Sequence, residues 1–163
     1  NQVSGQSALI ICAHLAVDRS TRTDNDTMQP MAGMYIASIL EPIGFDIKLH
    51  HELYHGPFDT SDIQKFDLVF LTGLQKDFDR MRQLSYFFRD AGSKVVAGGS
   101  MCTLFPDFCK GFFDVVCAGG VECLQDFMQD YLVGPTKRIY NSTNKHVASL
   151  ALNYDLLRKN NIS

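Results

Sequence analysis

Lys94-Val-Val-Ala-Gly-Gly99 and Phe113-Asp-Val-Val-Cys-Ala-Gly-Gly120 are the two stretches whose reading decides the fold. Each is a short apolar run that stops at a pair of glycines. A strand buried on both faces, as in a parallel sheet, reads as a continuous apolar run rather than as an alternation. Glycine at the strand exit lets the backbone turn with φ > 0 and lets another backbone or a ligand come close. Working outward, Ser7-Ala-Leu-Ile-Ile-Cys-Ala13 has the same bounded apolar character, Phe45-Asp-Ile-Lys-Leu49 alternates, and Asp67-Leu-Val-Phe-Leu-Thr72 is a further run. Together they predict five strands.

Helices fill the intervals. Pro30 suits a first helical position, and Met31, Met34, Tyr35, Ser38 and Ile39 recur at helical spacing as far as Pro42, with Gly44 as the stop. A short helical piece is expected near residues 60–65. Phe78, Met81, Leu84 and Phe88 make 77–91 amphipathic up to Gly92, and Leu124, Phe127, Met128 and Tyr131 mark a last helix closed by Gly134-Pro135. Strand and helix alternate, which predicts an α/β fold, a flavodoxin-like (Rossmann-like) five-stranded parallel sheet with helices on both faces. Residues 1–135 make that domain. Residues 136–163, polar and weakly periodic, read as a tail or linker towards a following catalytic domain.

Size and charge narrow the classes. A chain of 163 residues fits one domain with one core. Fifteen Lys+Arg against 18 Asp+Glu leave a net charge of -3, which gives no electrostatic case for nucleic acid or an anionic membrane. No apolar run approaches the roughly 20 residues of a membrane span, and no signal-peptide pattern opens the chain. The absence of an initiator Met predicts an excerpt or a processed product. Cys12, Cys102, Cys109, Cys117 and Cys123 are odd in number and scattered in apolar company. That predicts reduced core thiols in a cytoplasmic protein rather than a disulfide framework.

In such a sheet a ligand lies beyond the carboxyl ends of the strands, where the strand order reverses. The loops there are 14–29, Thr72-Gly-Leu-Gln75, 98–105 and 119–122. One motif competes with them. His51-Glu-Leu-Tyr-His55 is a literal HExxH, which on a helix would put two histidines on zinc with Glu52 as general base, as in a zinc hydrolase. A strand before it and Gly56-Pro57 after it leave no room for such a helix, so it reads as an incidental loop. The polar stretch 21–27 lacks the glycine of a flavin-phosphate loop. Leu71-Thr72 lacks the Asp of a phosphoacceptor receiver.

Several of these stretches carry a resemblance. Val95-Val-Ala-Gly-Gly-Ser-Met-Cys-Thr-Leu-Phe-Pro-Asp107 is similar to the VVxGGPHPTxxPE segment of cobalamin-binding domains found N-terminal to radical SAM enzymes. Phe113-Asp-Val-Val-Cys-Ala-Gly-Gly-Val-Glu122 resembles their FDxVVxGEGE, and residues 29–40 their PPLGLxYLAAxL helix, followed by Ile43-Gly-Phe-Asp46. Asn153-Tyr-Asp-Leu-Leu157 resembles the PDYDLL element that leads into the radical SAM barrel. The resemblance implies cobalamin (vitamin B12) contacts at Thr72, Gly73 and Leu74, at Gly98, Gly99 and Thr103, and at Gly119 and Glu122. Gly98 and Gly99 would let the nucleotide tail pass, and Thr72 and Thr103 would hydrogen-bond it. His14 is the histidine near the expected loop and the candidate cobalt axial ligand, beside the reading of a structural or solvated side chain. The iron–sulfur cluster and S-adenosylmethionine would belong to a C-terminal radical SAM domain of the same parent chain, since no CxxxCxxC occurs here. The chain alone would then carry the cofactor without turning over. Ser100-Met-Cys102 stands where the family has Pro-His-Pro, and Gly120-Val121 where it has Glu-Gly. These departures carry the alternative reading, a degenerate flavodoxin-like scaffold or interaction domain without cofactor.

Overall fold

The computed structural model of the chain describes residues 5–15, 29–61 and 63–141. Its strands are β1 (Ser7–Cys12), β2 (Asp46–His51), β3 (Leu68–Thr72), β4 (Lys94–Ala97), β5 (Val115–Ala118) and β6 (Ile139–Asn141). They form one sheet in the order β2-β1-β3-β4-β5-β6, every neighbouring pair parallel. The helices are α1 (Gln29–Leu40), α2 (Glu52–His55), α3 (Phe78–Asp90), α4 (Ser100–Leu104), α5 (Pro106–Cys109) and α6 (Val121–Val133). This is the expected doubly wound α/β arrangement, with six strands rather than five.

Side-chain alternation along the strands divides the core into two layers. Leu9, Ile11, Val69, Leu71, Val95 and Ala97 face α3, α4 and α5, where Met81, Leu84, Phe88 and Cys102 meet them. Ala8, Ile10, Leu68, Phe70, Val96 and Cys117 face the other side, where Leu40 of α1 and Leu124, Phe127 and Met128 of α6 close over them. Each fully buried Phe or Leu contributes on the order of 1.5–3 kcal/mol before entropy is counted. None of the five cysteines is in a disulfide, and all five are buried. Burial pushes the thiols of Cys12 and Cys117 up to about 12.

Two expectations are corrected. The short helix is absent among the described residues of 60–65. Asp59 instead accepts hydrogen bonds from the Ser61 N–H and hydroxyl, and Ile63 and Phe66 pack on the core without helical structure. The one-turn helix comes earlier, as α2, directly after β2. The boundary at 135 also moves, because β6 pairs with β5 through Val116–Ile139, Cys117–Tyr140 and Ala118–Asn141. Tyr140 is buried, donates to Asp130 and accepts from the Lys137 N–H. Residues 16–28, 62 and 142–163, with the 21–27 stretch and the 153–157 element, lie outside the described residues.

Candidate functional site

Strand order reverses between β1 and β3, so the crevice favoured for ligands in open α/β sheets lies at the carboxyl ends of these two strands. Polar groups hold the exits around it. Asp77, fully buried at the end of a short 3-10 turn (Gln75–Asp77), accepts from the N–H groups of Leu74 at 3.2 Å and Leu15 at 2.9 Å. Glu52, buried at the start of α2, takes the guanidinium of Arg80 through both oxygens, with Nη2 at 2.7 Å. It also accepts from the N–H groups of His14 and Phe58. The exits of β1, β2 and β3 are therefore tied together by two carboxylates acting on main-chain donors.

This geometry gives the HExxH residues separate jobs. Glu52 is fully engaged and is not a free base. His55 Nδ1 accepts from the His51 N–H at 3.0 Å, and His50 Nε2 meets the Gly56 carbonyl at 2.8 Å. No group of three or more His, Cys, Asp or Glu suited to a metal ion occurs among the described residues. The segment has a task other than the zinc site its motif would suggest: the one-turn α2 positions Glu52 for Arg80 rather than two imidazoles for a metal.

The residues expected to contact a ligand split into two sets. Thr72 ends β3, and by alternation from Leu68 and Phe70 its side chain belongs to the α1/α6 face. Gly98 continues β4 on the same face, and a Cβ there would find its nearest neighbour, the Cys117 carbonyl oxygen, 4.0 Å away. Gly119 and Gly120 form the turn into α6. Glu122 follows in its first turn, 5 % exposed, and neither carboxylate oxygen has a hydrogen-bond partner. Tyr35 of α1 lies within its field, its hydroxyl pushed up first by burial and then by the Glu122 charge.

The second set serves the scaffold. Gly99, at φ 111°, would place a Cβ 2.5 Å from the Gly73 carbonyl oxygen, so this glycine exists to let the β3 and β4 exits touch. A Cβ on Gly73 would press on Asp77 and Met81 at 3.2 and 3.3 Å. The passage expected at both Gly98 and Gly99 is open at Gly98 alone. Leu74 lends its N–H to Asp77, and Thr103 is exposed with its hydroxyl donated to the Gly99 carbonyl at 3.0 Å. His14 is half-buried, its Nδ1 3.3 Å from Lys76 Nζ and 3.7 Å from Asp77. That nitrogen is occupied by the local charge cluster.

One residue that the sequence reading left in an incidental loop belongs with the first set. His51 ends β2, is 5 % exposed, and both its ring nitrogens lack partners. Alternation from Ile47 and Leu49 puts it on the α1 face, beside Cys12 in register. At the opposite end of the sheet a groove of about 550 Å³ is lined by Arg89, Lys94, Asp114 and Arg138 among others. Its cations are engaged within the fold: Arg89 with Asp114, Lys94 with Thr136, and Arg138 with the Lys110 carbonyl.

No family model matches the chain, and no curated protein matches it. Among solved structures it is similar to the N-terminal domain of a hypothetical protein of Thermotoga maritima. The identity is 27 %, over 53 % of this chain and 73 % of that one, with a TM-score of 0.43. No helix among the described residues is long and apolar enough to cross a membrane.

Proposed function

We propose that the chain binds cobalamin across the carboxyl ends of its sheet, as the cofactor-holding part of a radical SAM enzyme whose iron–sulfur cluster and S-adenosylmethionine site lie on a following domain. The observation that carries the reading is the Glu122 carboxylate, buried without a partner in the first turn of α6, the helix that covers the face holding Thr72 and the open position at Gly98. Buried acceptors without donors are rare because each costs about 1–3 kcal/mol, and they gather where a ligand supplies the missing group. The residues fit the cofactor's chemistry. Amide N–H groups on the corrin rim suit Glu122, a hydroxyl at Thr72 suits the nucleotide tail, and Gly98 leaves the tail a way past the sheet. When bound, cobalamin supplies a cobalt centre able to carry a methyl group. The chain itself binds, orients and shields. The buried reduced thiols fit a cytoplasmic setting.

The test is an absorbance spectrum after incubation with hydroxocobalamin and removal of free cofactor. A retained corrin band that is lost in a folded Gly98→Trp variant supports the reading. Gly98 is the position for that block, since a side chain at Gly99 would drive into Gly73. A colourless, cooperatively folded chain at saturating cofactor overturns it and leaves the scaffold without cofactor, as the altered Ser100–Cys102 segment suggests.

A further inference from the structure

We propose that His51, at the end of β2, is a ligand-binding residue that extends the site to the edge of the sheet, where its imidazole hydrogen-bonds a peripheral amide or hydroxyl of the bound molecule. The inference rests on the cobalamin reading and names a contact which that family resemblance does not supply.

A buried histidine without partners is costly. A neutral imidazole carries one N–H donor and one acceptor nitrogen. In His51 both are buried and both lack partners. Leucine or phenylalanine would fill the same space without that penalty, so the fold alone gives no reason for histidine here. The contact the ring does make is through its faces and uses neither nitrogen. Its closest aromatic neighbour is Tyr54, with centroids 4.6 Å apart, while the work of the HExxH segment is done by the Glu52 side chain and by the His51 backbone N–H bound to His55. Burial and the nearby imidazoles of His55, His14 and His50 lower its pKa, which favours the neutral ring with one donor and one acceptor.

Position completes the argument. Among the described residues, four of the five buried side-chain atoms without partners belong to His51 and Glu122. Both stand at the carboxyl end of the sheet, His51 on β2 and Glu122 directly after β5. Four strand spacings separate β2 from β5, about 19 Å. A small metabolite does not bridge that distance. A broad, flat molecule whose rim carries many primary amides does, and a primary amide presents a donor and an acceptor, as His51 does.

The experiment is a hydroxocobalamin titration of the intact chain and of His51→Leu, His51→Phe and His51→Gln, with thermal melts of each. The proposal expects the apolar variants to melt at or above the wild-type temperature while binding about tenfold or more weakly, and His51→Gln to recover most of the affinity. Apolar variants that bind as tightly as wild type overturn the assignment of His51 and leave the cobalamin reading standing. Apolar variants that lose their cooperative melt also overturn it, because the ring is then structural. A wild-type chain that binds no cobalamin overturns both.

Discussion

His51 also sets how stability responds to acid. Burial, followed by the neighbouring His55, His14 and His50, lowers its pKa from the ordinary 6.5. The unfolded chain takes up this proton near pH 6.5 and the folded chain does so only at lower pH. The stability it contributes is therefore complete above pH 6.5 and is lost as pH falls from there towards the folded value. The slope between those limits is at most about 1.4 kcal/mol per pH unit. Urea unfolding at pH 7 and pH 5.5 checks this: wild type is expected to lose more stability over that interval than His51→Leu. The thiols make a second residue-scale case. With all five buried and Cys12, Cys117 and Cys123 pushed up to about 12, 12 and 11, native protein is expected to resist a thiol reagent that labels five groups once urea is added.

The glycines show what a linear reading of elements can and cannot resolve. Gly98 and Gly99 look alike in sequence, yet alternation along β4 sends one position towards α1 and α6 and sets the other against the β3 exit. Gly99→Ala is expected to cost about 2 kcal/mol or more, from its φ of 111° and the contact with Gly73, while Gly98→Ala stays near neutral in a chemical melt. Strands β1, β3, β4 and β5 and helix α3 were legible because apolar runs and a three- and four-residue stripe are strong signals. Elements β6 and α2 were not. Ile139-Tyr-Asn141 is three residues in polar surroundings, and α2 is a single turn fixed by the distant Arg80 rather than by local periodicity. The candidate site was legible only in part for the same reason: glycines mark strand exits in any sequence, but which of them stand open and which let two exits touch depends on register and on side chains far along the chain.

Across the whole molecule, two long-range ties hold the fold together. Arg80 to Glu52 joins α3 to the β2 exit with both partners nearly buried. Glu52→Ala is expected to cost about 3–5 kcal/mol, measurable by denaturant unfolding, because it strands the Arg80 charge and two backbone donors. The second tie is β6. A chain ending at residue 135 is expected to melt well below one ending at 141, since it exposes an edge of β5 and frees Asp130 from Tyr140. The sheet order has a further effect on how such a chain is born. Strand β1 lies between β2 and β3, and Cys12 meets Thr72, sixty residues later. At about 5–20 residues per second, a ribosome leaves the apolar Ala8–Ala13 run without its second neighbour for several seconds, and longer until β3 clears the exit tunnel. During that wait the most hydrophobic stretch of the molecule is a client for whatever chaperone first reaches the nascent chain.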